Sequence, residues 1–105
     1  MSLRLGQQKT ARVGRLKIQF LAVPEDSRCP MNARCVWAGN AKVKVRISGL
    51  HGLRTFEMNT NTGAKGTQFE GWSIMLDSLA PDRIAGRPTR QRSYRARFSI
   101  VRLTR

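Results

Sequence analysis

The sequence predicts an all-β domain: a small antiparallel β-sandwich, immunoglobulin-like in appearance, of six to eight short strands. Three observations lead there. Apolar and charged residues alternate with period two in several segments, as in Ala41-Lys42-Val43-Lys44-Val45-Arg46-Ile47 and Tyr94-Arg95-Ala96-Arg97-Phe98. No long window carries a helical repeat of apolar residues. Glycine, asparagine and proline clusters separate the alternating segments at short intervals.

The first strand is expected over residues 15–23, where Arg15 and Lys17 alternate with Leu16 and Ile18, and Pro24 is expected to end it. A polar turn, Glu25-Asp26-Ser27-Arg28, leads into a cysteine loop from Cys29 to Cys35. Ala38-Gly39-Asn40 signals a turn, and the second strand spans 41–48. Gly49-Leu50-His51-Gly52 reads as a hairpin connection to a return strand over 53–59, with Phe56 and Met58 on one face. Residues 59–66, rich in Thr, Asn and Gly, read as a loop. Trp72, Ile74 and Leu76 mark another strand, closed by Leu79-Ala80-Pro81. The last strand spans 93–103. Its alternation breaks at Ile100-Val101, which predicts a bulge or burial on both faces. Residues 15–105 form the single domain. Residues 1–14 are set apart: Met1-Ser2-Leu3 resembles an expression-vector start, and the polar stretch from Arg4 to Gly14 is expected to fray or to lie at an edge.

The chain has 105 residues, long enough for one core but not two. Its 40% hydrophobic content is too high for a disordered chain, and no apolar run approaches the roughly 20 residues of a membrane helix. Lys and Arg total 20 against 6 Asp and Glu, a net charge of +14, and fifteen of the cations are arginine. This lies well outside the roughly 2–8 units of an ordinary small domain and favours anionic partners. Candidate anion-binding residues are the wet-face cations Lys42, Lys44, Arg46, Arg95 and Arg97. A second group, Arg83, Arg87, Arg90 and Arg92, falls in a segment with Gly86 and Pro88 that reads as a mobile loop.

Two cysteines six positions apart admit several chemistries. A zinc site wants four ligands, and the chain offers two Cys and His51 at no zinc spacing. A redox pair is normally Cys-x-x-Cys. Buried free thiols remain as the plain alternative. A Cys29–Cys35 disulfide, closing a seven-residue loop and adding roughly 2 kcal/mol, is the favoured reading. It implies an oxidising compartment.

Asp26-Ser27-Arg28-Cys29-Pro30 followed by Cys35-Val36-Trp37-Ala38-Gly39 resembles the signature of a family of small uncharacterised bacterial secreted proteins and predicted lipoproteins. Looser likeness runs over residues 15–103, through Leu76 to Pro81 and the strand near Tyr94. The chain departs at Asn32-Ala33, where many relatives carry Gly-Val, and no export signal stands in these residues. The resemblance implies export, to periplasm, cell envelope or the secreted space, and brings no reaction. Physically, Asp26 and Ser27 suit hydrogen bonds to turn amides, Arg28 suits pairing with Asp26 or Glu25, and Gly39 suits a positive φ. Trp37 is expected to pack over the disulfide, two residues beyond Cys35. These are structural roles.

No catalytic constellation is visible. The single histidine, no nucleophile elbow, no Walker loop and no dinucleotide fingerprint leave a non-enzyme with no cofactor and no metal. The expected partner is anionic: envelope polysaccharide, lipopolysaccharide or an acidic protein. Membrane association is expected only through a lipid anchor lying outside this sequence. The rival is an intracellular nucleic-acid-binding β-domain, which would need rings interleaved with the wet-face cations.

Overall fold

The computed structural model describes residues 1–11 and 16–103. Arg15, the expected start of the first long strand, lies outside the described residues. Among the described residues eight strands are present: β1 (Ser2–Arg4), β2 (Gln8–Thr10), β3 (Lys17–Asp26), β4 (Ala41–Gly49), β5 (Gly52–Asn59), β6 (Gly66–Phe69), β7 (Trp72–Ala80) and β8 (Arg95–Arg102). They form two four-stranded antiparallel sheets, β1-β8-β7-β6 and β2-β3-β4-β5. The small all-β sandwich of the sequence reading is therefore the architecture.

The core follows the alternation. Ile18, Phe20, Val43, Val45, Ile47 and Met58 point inward from one sheet. Leu3, Ile74, Leu76, Leu79, Ala96 and Phe98 meet them from the other. Phe56 and Phe69 close one side edge to face, their centroids 6.0 Å apart.

Several expectations are corrected. Leu3, set apart as part of a vector-like start, is 1% exposed, and β1 pairs with β8 through Leu3↔Ala96 and Arg4↔Arg95. An apolar side chain between two polar ones suffices for a short edge strand once β8 offers its free edge. Pro24 does not end β3, which runs to Asp26 through register shifts between Phe20 and Glu25. Proline is tolerated there because β2 covers only Gln19 to Lys17, so Pro24 faces no partner on that side. Residues 66–69, expected to begin as loop, form β6 against β7. The bulge expected at Ile100-Val101 sits across the ladder instead. Trp72↔Arg102 to Leu76↔Phe98 is regular, and the extra residue is Asp77, between Leu76↔Phe98 and Ser78↔Arg97. Nor is Val101 buried: it is outward and exposed. Ser93 belongs to a 3-10 turn, Gln91–Ser93, rather than to β8.

The turns are locally determined. The β6–β7 hairpin has two residues, Glu70 and Gly71, both at positive φ (48° and 82°), the geometry that matches strand twist. The Glu70 carboxylate then reaches the β4–β5 hairpin and accepts the amides of Leu50 (2.8 Å) and His51 (3.0 Å).

Candidate functional site

Two constellations stand out: the corner built by the cysteine motif, and the cations spread over the two outer faces.

The corner is where β3 leaves its sheet. Arg28 forks onto Asp26, with Nε to Oδ1 and Nη2 to Oδ2 both at 2.8 Å. Its remaining donors reach the other sheet, Nη1 to the Leu79 carbonyl (2.8 Å) and Nη2 to that of Pro81 (2.9 Å). Tyr94, entering β8, donates its hydroxyl to Asp26 Oδ2 (2.8 Å). One ion pair thus ties the end of β3 to the ends of β7 and β8. Both charges are largely withdrawn from water, with side-chain exposures of 14% and 9% for Arg28 and Asp26. Burial opposes ionisation of Asp26, but the hydrogen bonds from Arg28 and Tyr94 and the Arg28 charge hold its carboxyl below the usual range. The Asp26 bond raises Arg28 further, against its own burial. Burial and the bond to Asp26 raise the Tyr94 phenol.

Ser27 continues the corner. Its hydroxyl donates to the Asn40 carbonyl (2.8 Å) and accepts the Asn40 amide (3.2 Å). Asn40 is the one buried polar residue among the described residues, and both ends of its side-chain amide are hydrogen-bonded. Oδ1 accepts the amides of Asn61 and Thr62, and Nδ2 donates to Asn59. Gly39 holds φ +74°, and a Cβ there would run into the Ser27 carbonyl. The side chains of Asp26, Ser27 and Arg28 and the glycine at 39 all act in this knot.

Cys29 and Cys35 lie at disulfide distance, Cα–Cα 5.9 Å. That is compatible with an oxidising extracellular compartment. Among the described residues no helix is long and apolar enough to cross a membrane. Trp37 does not pack as expected: it is 62% exposed, and it lines a cleft of about 650 Å³ with Lys42, Glu25, Asn59 and Asn61. Its ring follows a loop that has already left the core, so proximity in sequence to Cys35 does not bring burial.

The five candidate anion-binding residues separate onto opposite faces of the sandwich. Lys42, Lys44 and Arg46 project outward from β4, and Arg95 and Arg97 from β8 in the other sheet. The β4 face is partly neutralised. Lys42 pairs with Glu25 at 3.5 Å, and Lys44 sits directly across from Glu57 on β5. The β8 face differs. Arg4 on β1 is directly across from Arg95, and Ser2 from Arg97. A hollow of about 160 Å³ at this edge is lined by Ser2, Leu3, Arg4, Gln7, Lys9 and Arg95, with no carboxylate among them. The acid of this face, Asp77, stands on β7 and accepts the hydroxyl of Ser99, keeping its charge.

Arg4 and Lys9 were not singled out as site residues by the sequence. The pattern Ser2-Leu3-Arg4 is an alternation of only three residues, and its parity becomes meaningful only when β8 is its neighbour. Tyr94 is likewise absent from the sequence-based site, since 68 residues separate it from Asp26. His51 lies on the hairpin at the other end of the molecule from the corner.

Comparison of the chain with protein-family models, with curated proteins and with solved structures finds no match to any of them.

Proposed function

We propose that this chain is a non-catalytic module of the cell envelope or secreted space, and that it binds an anionic envelope polysaccharide on the outer face of the sheet containing β8. One observation carries the reading: Arg4 directly across from Arg95, with Arg97 two residues on and no carboxylate in the adjoining hollow. Like charges placed opposite each other on a sheet destabilise it by a few tenths of a kcal/mol to about 1 kcal/mol. Edge protection accounts for a cation on β1, an edge strand, but not for Arg95 and Arg97 on central β8. A row of guanidinium groups suits carboxylate or sulfate groups repeated along a polymer.

Export is supported by the disulfide-distance cysteines and by the resemblance of the Asp26-to-Gly39 motif to bacterial secreted proteins and predicted lipoproteins. A non-catalytic role is supported by the fate of the acids. Asp26 is held by Arg28 and Tyr94, Glu25 by Lys42, Glu70 by turn amides and Asp77 by Ser99. Of the six acids these four have partners within the fold, Asp26 and Glu25 with cations, Glu70 with amides and Asp77 with a neutral hydroxyl, while Glu57 sits across from Lys44 and Asp82 beside the arginine loop.

The test is binding of the oxidised protein to heparin, lipopolysaccharide and acidic glycans across a salt series. Arg95→Glu with Arg97→Glu should weaken binding by about tenfold or more at low salt, from roughly 0.2–1 kcal/mol per lost contact plus added repulsion. Lys44→Glu, whose partner face already holds Glu57, should weaken it much less. Arg4→Glu should raise stability while lowering affinity. Failure of all three ligands at low salt sinks the proposal, and tighter binding to single-stranded nucleic acid than to any of them would favour the intracellular rival.

A further inference from the structure

The corner end of the sandwich exposes apolar side chains in one short loop. Val36 is 97% exposed, Met31 69% and Trp37 62%. The disulfide closes Cys29 to Cys35 across Met31, and Gly39 at positive φ turns the chain directly into β4, so the loop has no slack to fold these side chains inward. Beside it lies the arginine loop, residues 81–93. The Met31 amide donates to the Arg83 carbonyl (2.9 Å), Arg83 Nη1 to the Arg28 carbonyl (2.6 Å) and the Ala85 amide to Asn32 Oδ1 (2.7 Å). The arginine loop is not free at its far end either. Gln91 clamps Val23 with both its amide groups, accepting from the backbone N–H and donating to the carbonyl. The two loops form one surface in which Ile84 is also exposed. Arg34, Arg87, Arg90 and Arg92 are exposed around it, and the nearby carboxylates outside the Asp26 knot are Asp82 and Glu25, the latter paired with Lys42.

Apolar tips with a tryptophan, ringed by arginines, match the boundary between headgroups and acyl chains. There an indole sits half in each phase, and cations meet lipid phosphates. We propose that this end of the sandwich docks on an anionic phospholipid bilayer, with Met31, Val36 and Trp37 entering the headgroup–acyl boundary and the arginines of the two loops on lipid phosphates. This surface is distinct from the β8 face and needs no anchor outside the sequence. Charge selects the end. At this end four exposed arginines stand against exposed Asp82 and the Lys42-paired Glu25, whereas the opposite end, which also exposes Leu50 (63%) and Leu53 (60%), holds the Glu70 carboxylate at its hairpin tip.

The oxidised full chain is tested by co-sedimentation with phosphatidylcholine vesicles and with phosphatidylcholine–phosphatidylglycerol vesicles. A Trp72→Phe background leaves Trp37 as the fluorophore. Binding should require phosphatidylglycerol, and Trp37 emission should shift to the blue and be quenched by lipids brominated near the top of the acyl chain. Val36→Asp should reduce partitioning by about tenfold, the scale of withdrawing one valine-sized side chain from the apolar phase. Val36→Ser with Trp37→Ser should also reduce it without adding charge, while Leu50→Ser leaves it unchanged. Arg87→Glu with Arg90→Glu should cost more than Arg95→Glu with Arg97→Glu, although the charge change is the same. An unshifted Trp37, equal binding to neutral vesicles, equal effects of the two double reversals, or equal effects of Val36→Ser with Trp37→Ser and of Leu50→Ser would each overturn the proposal. The soluble-polysaccharide assay on the β8 face is unaffected by any of these outcomes.

Discussion

Asp26→Asn is the most informative single change to the fold. It preserves shape and removes the anion on which Arg28 closes. Breaking a buried pair by neutralising one partner typically costs about 3–5 kcal/mol, because the other charge stays behind in a poor solvent. Two features reduce that here. The Arg28 side chain keeps 14% of its exposure, and its bonds to the Leu79 and Pro81 carbonyls survive. The asparagine amide, however, can accept only on one side. With the nitrogen in place of Oδ2, both Arg28 Nη2 and the Tyr94 hydroxyl face an N–H donor; with it in place of Oδ1, Arg28 Nε does. The expected loss is about 2–3 kcal/mol at neutral pH, roughly 10–20 °C in Tm for a domain of this size. The pH dependence separates charge from shape. Asp26 titrates lower in the folded chain than in the unfolded one, so its contribution is present above the unfolded value of about 3.9 and is lost as pH falls through the lower folded value. Urea titrations of wild type and variant at pH 7 and on acidification, with the disulfide intact, read this directly. The gap between them should shrink below about pH 4. A gap under about 0.5 kcal/mol at pH 7, or one that persists unchanged in acid, would refute the role assigned to the pair.

Three further outcomes are expected. Cys29→Ser with Cys35→Ser should cost about 2 kcal/mol in urea unfolding, and mass spectrometry of the unreduced wild type should show two hydrogens fewer than the dithiol form. Gly39→Ala should destabilise by more than about 1 kcal/mol, since the residue needs positive φ and its Cβ meets the Ser27 carbonyl; a neutral result would show that the turn rearranges freely. Glu70→Gln should weaken the two amide bonds at the β4–β5 tip, costing about 0.5–1 kcal/mol and raising hydrogen exchange at Leu50 and His51, with exchange elsewhere in β4 unchanged.

What was legible in the sequence tracks the strictness of alternation. From Ala41 to Ile47 every second residue is apolar, so β4 and its wet face could be read without neighbours, and the same holds from Tyr94 to Phe98. Strand β6 was hidden because Gly66-Thr67-Gln68-Phe69 carries one large apolar residue and exists as a strand through its pairing with β7. The break at Ile100-Val101 misled because an aliphatic residue near a strand end is free to face water: Val101 is exposed within an unbroken ladder, while the true bulge lies in β7. In the site, the local partners of the motif were readable. Arg28 reaches Asp26 two residues away, and Gly39 has no Cβ to oppose a positive φ. Tyr94, Leu79 and Pro81 complete the same knot from the other sheet, and contacts that depend on how two sheets stack leave no trace in local spacing.

The distribution of charge bears on function more than its total does. Where the fold needs a cation, it supplies an acid: Arg28 has Asp26 and Lys42 has Glu25. Among the described residues the cations outside these two ion pairs are spread over both sheets, and two groups of them stand out, the Arg4–Arg95–Arg97 row and the arginines of the loops around Met31 and Val36. In the first, repulsion across β1 and β8 works against the sheet. In the second, water-exposed valine and tryptophan work against burial of apolar surface. Neither arrangement lowers the free energy of the isolated chain. A solvated surface shaped only by solubility would intersperse the two signs and keep large apolar side chains off its loop tips. Both exceptions become favourable once an anion lies on the first and an anionic amphiphilic surface on the second. The two stability costs therefore support binding more directly than the net charge of +14.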